Sequence, residues 1–520
     1  MSTIPELVRR AVRAHAERVA VVDGERSSTF REVGERTVRL ANALHGLSPE
    51  ADGEGGRVAI LMRNRLEYVE ADLAVARAGK VKVPVNPRLS DDERRYVLAD
   101  SGADILITES AELERVLDTV DSRAVRVVSV DGGTGALEYG ELLRAASTVE
   151  RAVRARPDRL SQLLYTSGTT GRPKGAMLLD RCRVSASTMS LIEEYPVTPA
   201  DGMVHAGPLS HGSASKLLTF FVRGARNIVI PKFGPEAFVR AVREGGGTST
   251  FLVPTMIQAL VEYGRDHPDP RDWGLRNITY GGASISRRTL EDALDTFGPI
   301  LSQVYGSCEA PHPVLGLRHR DEADPRVPGE TVPAGRPSIG VDVRVVAGDG
   351  RDLLEDPPGQ EVTGELLVRG PNVMAGYWNK PEATAEALVD GWYRTGDIVR
   401  VDPAGTFSLV DRSKDIVITG GLNVYPAEVE RVLRDLPGVA EVCVVGTPDE
   451  RWGEVVSAAV VPVSPGSVDA EAVEKWCAER LAGYKKPRRV VLVENLPKGS
   501  TGKILKRGVR DLVAASGAAR

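Results

Sequence analysis

The first third of the chain alternates between two hydrophobic periods. Residues 31–46 (REVGERTVRLANALHG) place their apolar positions at helical spacing, which predicts an amphipathic helix. Residues 58–62 form a short unbroken apolar run, the pattern of a strand buried on both faces. The helical period returns at 65–78 and the strand pattern at 81–85. Ser90 and Glu93 have capping-box spacing, so a helix is expected over 91–101. Strands are expected at 104–108 and 125–130. Strands separated by helices need right-handed crossovers, so the pattern predicts a largely parallel sheet with helices on its faces.

This pattern holds to about residue 330 and then changes. Between 341 and 410, the short β runs VDVRVV, GELLVRG and FSLVDR sit between Gly and Pro turns, as in a small β subdomain. After Asp411 the pattern is α+β: a strand at 416–418, a helix over 426–435 opened by Pro426, strands at 439–445 and 455–461, a helix near 470–481 and a strand at 489–493. The expected fold class is α/β. A large N-terminal domain of parallel-rich sheets with flanking helices, plus the small β subdomain, is followed by a small α+β C-terminal domain. The expected division is 1–410 and 411–520, the second part being large enough for an independent unit.

The totals agree with a chain of more than one domain. There are 520 residues, 42% hydrophobic and 27% charged, a soluble globular balance. The net charge is −5 with no basic block, so neither nucleic acid nor a membrane is an expected partner. The N-terminus lacks the apolar region of a signal peptide, and no stretch approaches the roughly 18 apolar residues of a bilayer span. The four cysteines are scattered without CxxC and the seven histidines without HxxxH, so no disulfide framework or zinc site is expected. The expected compartment is the cytoplasm, and monomer and homodimer stay open.

The segment LLYTSGTTGRPKGAML, residues 163–178, carries the sharpest chemistry. A short apolar run ends in Thr166, Ser167, Gly168, Thr169, Thr170 and Gly171, with Lys174 close behind. Glycines let successive backbone N–H groups face one concavity, and the hydroxyls and one ammonium complete a site suited to a triphosphate. The spacing is not that of a Walker A loop.

This loop resembles the signature of the adenylate-forming superfamily, which includes acyl-CoA synthetases, peptide-synthetase adenylation domains and luciferases. Its other motifs occur in order along the whole chain. The resemblance implies ATP, Mg²⁺ and coenzyme A as co-substrates and cofactors, and a small-molecule acid as substrate. Gly281, Gly282 and Ala283 resemble the adenine-binding loop. The run Tyr305-Gly306-Ser307-Cys308-Glu309 resembles the family's Y-G-x-T-E. It implies that Tyr305 stacks on adenine and that Glu309 ligates the magnesium, with Cys308 standing where the family has Thr. Asp397, in WYRTGD, is implied as the ribose ligand. Asp411 and Arg412 match the hinge and a ribose or phosphate contact. Gly420 and Gly421 resemble the CoA-side loop. Lys503 resembles the catalytic lysine, whose ammonium bridges carboxylate and α-phosphate.

The run 208–216 resembles the family's P-L-x-H segment. It implies an acid pocket that includes His205, Lys216, Gly282 and Pro313, with His211 gating the thiol's entry. Lys216 is read as either solvent-facing or buried. If buried it needs a counter-charge, and a polar or anionic substrate group is one source, which favours an aryl or a short to medium polar acid. Transfer to an acyl-carrier protein is an alternative to CoA. ATP-dependent activation of nitrite for an aryl amine is another.

Overall fold

The capping box at Ser90 forms as its spacing predicts. The Glu93 amide donates to Ser90 Oγ at 3.3 Å, and Glu93 Oε2 accepts the Ser90 amide at 2.9 Å, opening the helix Asp91–Ser101. In this computed structural model, the described residues are 2–48, 56–118, 125–153, 155–166, 172–267, 269–321, 332–355, 359–419, 422–449, 451–499 and 504–517. They fall into two compact units. One comprises Met1–Thr166, Pro173–Val343 and Val368–Tyr393, and the other Ser167–Arg172, Arg344–Leu367 and Arg394–Arg520.

The first unit holds two sheets. One runs in the order Leu137–Glu138, Arg126–Ser129, Ile105–Thr108, Arg57–Leu61, Val81–Pro84, Leu160–Tyr165 and Gly175–Leu179. Its neighbours are parallel until the last pair, which is an antiparallel hairpin. The apolar run read as a doubly buried strand is so: residues 58–62 are buried throughout, and the strands 81–84 and 105–108 are buried throughout as well.

In the other sheet, Asn277–Tyr280 lies between Ser249–Leu252 and Leu301–Tyr305, all parallel. Ser249–Leu252 also pairs with Gly202–His205, which pairs on its far side with Arg226–Val229. The strand order therefore reverses around Gly202–His205. Ligands of open α/β sheets bind at the carboxyl ends of strands beside such a reversal. The motif segments beginning at 205, 281 and 305 each leave from one of these carboxyl ends.

The second unit contains an α+β body. Strands Val439–Asp449 and Gly453–Pro462 form its long central hairpin. Alternate residues face opposite ways along it. Val442, Val444, Val456 and Ala458 join one core with Val429, Leu433 and Val473 of the helices Pro426–Arg434 and Ala470–Arg480. Cys443, Val445 and Ala459 join another with Val509 and Val513 of the helix Lys506–Gly517. The first of these strands runs past the expected 439–445, because its ladder continues through Gly446, Thr447 and Pro448 to Asp449 paired with Gly453.

Candidate active site

The hairpin formed by Leu160–Tyr165 and Gly175–Leu179 fixes both ends of the glycine- and hydroxyl-rich loop. Tyr165 pairs with Gly175, and the Thr166 amide donates to the Lys174 carbonyl at 2.9 Å. A Cβ on Gly175 would lie 3.1 Å from the Tyr165 ring, so glycine spares this crossing a tight contact. Ser167, Gly168, Thr169, Thr170 and Gly171 lie outside the described residues.

A segment with no recognisable motif runs beside this hairpin. Ala176 bridges Tyr377, and the Trp378 amide donates to the Gly175 carbonyl at 2.8 Å. This puts the Tyr377 ring 4.4 Å from Lys174 Nζ, a cation–π distance. The Tyr377 hydroxyl donates to Glu309 Oε1 at 2.8 Å. One buried tyrosine thus brings together the loop lysine and the carboxylate assigned to magnesium. Sequence reading missed it because its position depends on a strand-like pairing between segments roughly two hundred residues apart.

At the end of Asn277–Tyr280, the Tyr280 hydroxyl is hydrogen-bonded to His319 Nε2 at 2.9 Å. Gly281 follows, and a Cβ there would lie 2.4 Å from the Val304 carbonyl oxygen. Gly282 has φ +76, a left-handed conformation suited to glycine, and with Ala283 it is exposed. Tyr305 closes the neighbouring strand and is largely buried. Ser307 Oγ accepts the amides of Glu309 and Ala310 at 3.2 and 3.1 Å, so its oxygen shapes the turn that presents Cys308 and Glu309. Both of those residues are half-buried.

The acid-pocket candidates divide. His205 was expected to line the pocket, but it is fully buried. Its Nδ1 meets Ser213 Oγ at 3.0 Å and its Nε2 meets Asn227 Oδ1 at 2.8 Å. Burial lowers its pKa to about 4, against weaker upward pulls from Asn227 and Ser213. It is a neutral strut of the core with both nitrogens engaged. The segment after it is held by Asn64, whose Nδ2 donates to the carbonyls of His205 and Gly207 at 3.2 and 2.8 Å and whose Oδ1 accepts the Leu209 amide at 2.7 Å. Asn64 carried no signal in the sequence. His211 is half-buried and begins the turn leading into the short helix Ser215–Val222.

Lys216 does not face solvent; it is 2% exposed. Its counter-charge is not left to a substrate, because Glu194 forms the ion pair. The ammonium also donates to Ser190 Oγ at 3.0 Å and to His312 Nδ1 at 3.3 Å, which uses all three of its protons. Glu194 Oε2 accepts the Thr279 hydroxyl at 2.8 Å. Burial lowers the Lys216 pKa and Glu194 opposes the shift.

His312, which sequence reading passed over, is stacked on Phe251 with ring centroids 5.0 Å apart and planes 6° apart. Its Nε2 lies 3.0 Å from Ser215 Oγ, and that hydroxyl donates to the Gly212 carbonyl at 2.7 Å. Burial first, and then the Lys216 charge, push its pKa well down. It is therefore neutral, with Nδ1 accepting and Nε2–H donating. Pro313, expected in the pocket, follows it and is buried. Two motif glycines make room for the stack. A Cβ on Gly306 would lie within 2.6–2.8 Å of His312 atoms, and one on Gly212 would lie 3.1 Å from the Phe251 ring.

In the second unit, the register of Trp392–Val401 against Phe407–Arg412 sets Asp397 opposite Arg412. Arg412 Nε lies 3.0 Å from Asp397 Oδ1. The Asp411 side chain is buried, accepting the Arg412 amide at 2.7 Å and the Ala427 amide at 2.8 Å. Burial raises its pKa against the pull of Lys506, 3.8 Å away. Lys506 also meets Asp415 at 3.3 Å. Burial alone would lower its pKa, but Asp411, Glu430 and Asp415 together raise it. Gly420, Gly421 and Lys503 lie outside the described residues.

Among the described residues, no group of three or more His, Cys, Asp or Glu is gathered to hold a metal. A magnesium ion at Glu309 fits the donor chemistry nonetheless. A hard cation takes one or two carboxylates and fills its shell with phosphate oxygens and water. Among the described residues no helix is long and apolar enough to cross a membrane.

A family model described as AMP-binding enzyme matches residues 8–378, and another described as AMP-binding enzyme C-terminal domain matches residues 428–503. The chain is 39% identical to a feruloyl-CoA synthase of Amycolatopsis sp, over 97% of each chain. It is 34% identical to a medium/long-chain fatty-acid–CoA ligase of Mycobacterium tuberculosis, over 96% of this chain and 88% of that one. Among solved structures it is similar to o-succinylbenzoate CoA synthetase of Bacillus subtilis in complex with its acyl-adenylate intermediate. The TM-score is 0.84 and the identity 29%, over 98% of this chain and 99% of that one.

Proposed function

The chain belongs to the adenylate-forming AMP-binding enzyme family, and from that premise we propose that it is an ATP-dependent acid–CoA ligase whose acid carries an aromatic ring. The observation that carries the aromatic reading is the 39% identity to a feruloyl-CoA synthase over 97% of each chain. A polar or anionic acid was attractive only while Lys216 lacked a counter-charge. Glu194 provides it inside the protein, so Lys216 asks for no charge on the substrate and does not decide between an aryl and a polar acid.

The reaction has two steps. A carboxylate oxygen of the acid attacks the α-phosphorus of ATP, the bond to the β-phosphate oxygen breaks, and pyrophosphate leaves. The CoA thiol, losing its proton, then attacks the acyl carbonyl, and AMP leaves with the bonding electron pair. Lys174 and the donors of 166–171 neutralise the leaving pyrophosphate, and Tyr377 keeps Lys174 and Glu309 in place for it. Magnesium, held by Glu309 and the phosphates, supplies charge neutralisation when bound. Asp397 accepts hydrogen bonds from the ribose hydroxyls, with Arg412 fixing one of its oxygens. Lys503 holds the two anions together in the first step. Asp411 is the hinge between the two steps.

Pyrophosphate release from ATP and Mg²⁺ over a panel of acids, with and without CoA, tests this reading. An aryl acid that triggers release, and whose thioester forms only with CoA, is the expected result. Release without a CoA thioester moves the acceptor to a carrier protein. A response to nitrite plus an aryl amine alone overturns the carboxylate.

A further inference from the structure

The buried Glu194–Lys216 pair and the half-buried His312 lie next to the acid segment yet have no part in either bond-making step. Its geometry is tightly specified. Lys216 spends its three protons on Ser190, Glu194 and His312. His312 spends one nitrogen on Lys216 and the other on Ser215. One face of the imidazole is covered by Phe251 in a nearly parallel stack. Phe251 is 7% exposed, while His312 remains half-buried. With one face and both nitrogens engaged, what the ring has left to offer is its other face.

A charged imidazole would not be held in this way. Lys216 donates to Nδ1, so Nδ1 carries no proton, and the ring is a neutral flat surface. The ion pair behind it cancels its own charge, so the wall presents no net charge to a ligand. A flat, neutral, polarisable surface with fixed orientation takes a planar π system by stacking. It gives a saturated chain only ordinary contact, and a second carboxylate nothing at all.

We infer that His312, backed by Phe251 and locked by Lys216 and Ser215, is the specificity-determining wall of the acid pocket, selecting planar aromatic acyl groups over saturated chains of equal length. Lys216, Glu194 and Ser215 act through His312 and are positioning residues. This rests on the reading of the chain as an acid-activating ligase.

The test uses the full chain with a cinnamic-type acid and octanoic acid, comparing wild type with His312→Ala and His312→Phe. His312→Ala is expected to raise KM for the aryl acid about five- to tenfold with kcat nearly unchanged, and to move the octanoate value less than twofold. His312→Phe keeps the flat face and is expected to restore the aryl preference. Equal losses for both acids with His312→Ala, or no change for either, would overturn the inference. So would a folded His312→Phe variant that discriminates no better than the alanine. Equilibrium dialysis of the aryl acid against the same variants reads the wall directly. If wild type releases no pyrophosphate with any acid, the ligase reading fails, and dialysis still decides the wall.

Discussion

The Tyr377 hydroxyl donates a 2.8 Å hydrogen bond to Glu309 Oε1. The bond orients the only carboxylate of the Tyr305–Glu309 motif, and the same ring faces the Lys174 ammonium. Tyr377→Phe removes the bond and keeps the ring. A hydrogen bond to a charged group contributes about 1.5–3 kcal/mol, so the Mg²⁺ concentration for half-maximal ATP–pyrophosphate exchange should rise roughly tenfold or more. A magnesium titration that overlays wild type would show that Glu309 needs no such support.

Lys216→Met strands Glu194 as an uncompensated buried carboxylate. Loss of one partner of a buried pair costs about 3–5 kcal/mol. Lys216→Met with Glu194→Gln together should recover most of it. Urea unfolding midpoints of the single and double variants check this, and equal losses in both would contradict it.

Gly306→Ala places a methyl group within 2.6–2.8 Å of His312 atoms. Those atoms include backbone, so relief requires moving the segment from 305 to 312. Overpacking of this kind costs about 1–3 kcal/mol, and the aryl-acid KM should rise while a comparable change at the exposed Gly46, where a Cβ meets nothing within 4 Å, leaves it untouched. Thermal denaturation and KM, measured on the same samples, decide it.

Two histidines held neutral by the fold, His205 and His312, make stability fall in mild acid. His205 has a folded pKa of about 4 against 6.5 unfolded, because burial disfavours its charged form. Between these values the unfolded chain binds the proton and the folded chain does not, so ν_U exceeds ν_N and stability falls as pH falls. The contribution of His205 is complete above about pH 6.5 and is lost progressively down to about pH 4, amounting to about 3 kcal/mol. His312 acts in the same direction. Unfolding free energies from pH 7 to 4.5 should decline, and His205→Asn should flatten part of that slope.

Lys503→Ala should slow adenylate formation by at least a hundredfold, with little effect on thioester formation from supplied acyl-adenylate. Single-turnover measurements of the two steps separate these outcomes, and equal loss in both would remove the assignment.

The sequence was readable wherever one segment decides its own structure. The Ser90–Glu93 box, the doubly buried run at 58–62, the strands at 81–84 and 105–108, and the helix opened by Pro426 depend on neighbours a few positions away. That the motif segments at 205, 281 and 305 all leave from strand ends is seen only in the assembled sheet. Partnerships across the fold were not readable. Lys216 meets Glu194 through the pairing of two helices, and Tyr377 reaches Glu309 through a bridge to Ala176. His205 shows the converse: its motif looked functional, yet Ser213 and Asn227 occupy it. Side-chain direction decides each case, and periodicity reports direction only relative to the residue's own element.

Asn64 sets the shape of the backbone at 205–209 with three hydrogen bonds from a residue about 140 positions earlier. During synthesis this residue emerges about 140 positions before its partners, so the three bonds form only after that length of chain has been made. A fragment that starts after it would carry every letter of the acid-segment motif and lack its conformation. Shuffling that motif between relatives as a cassette should fail unless the distant asparagine travels with it.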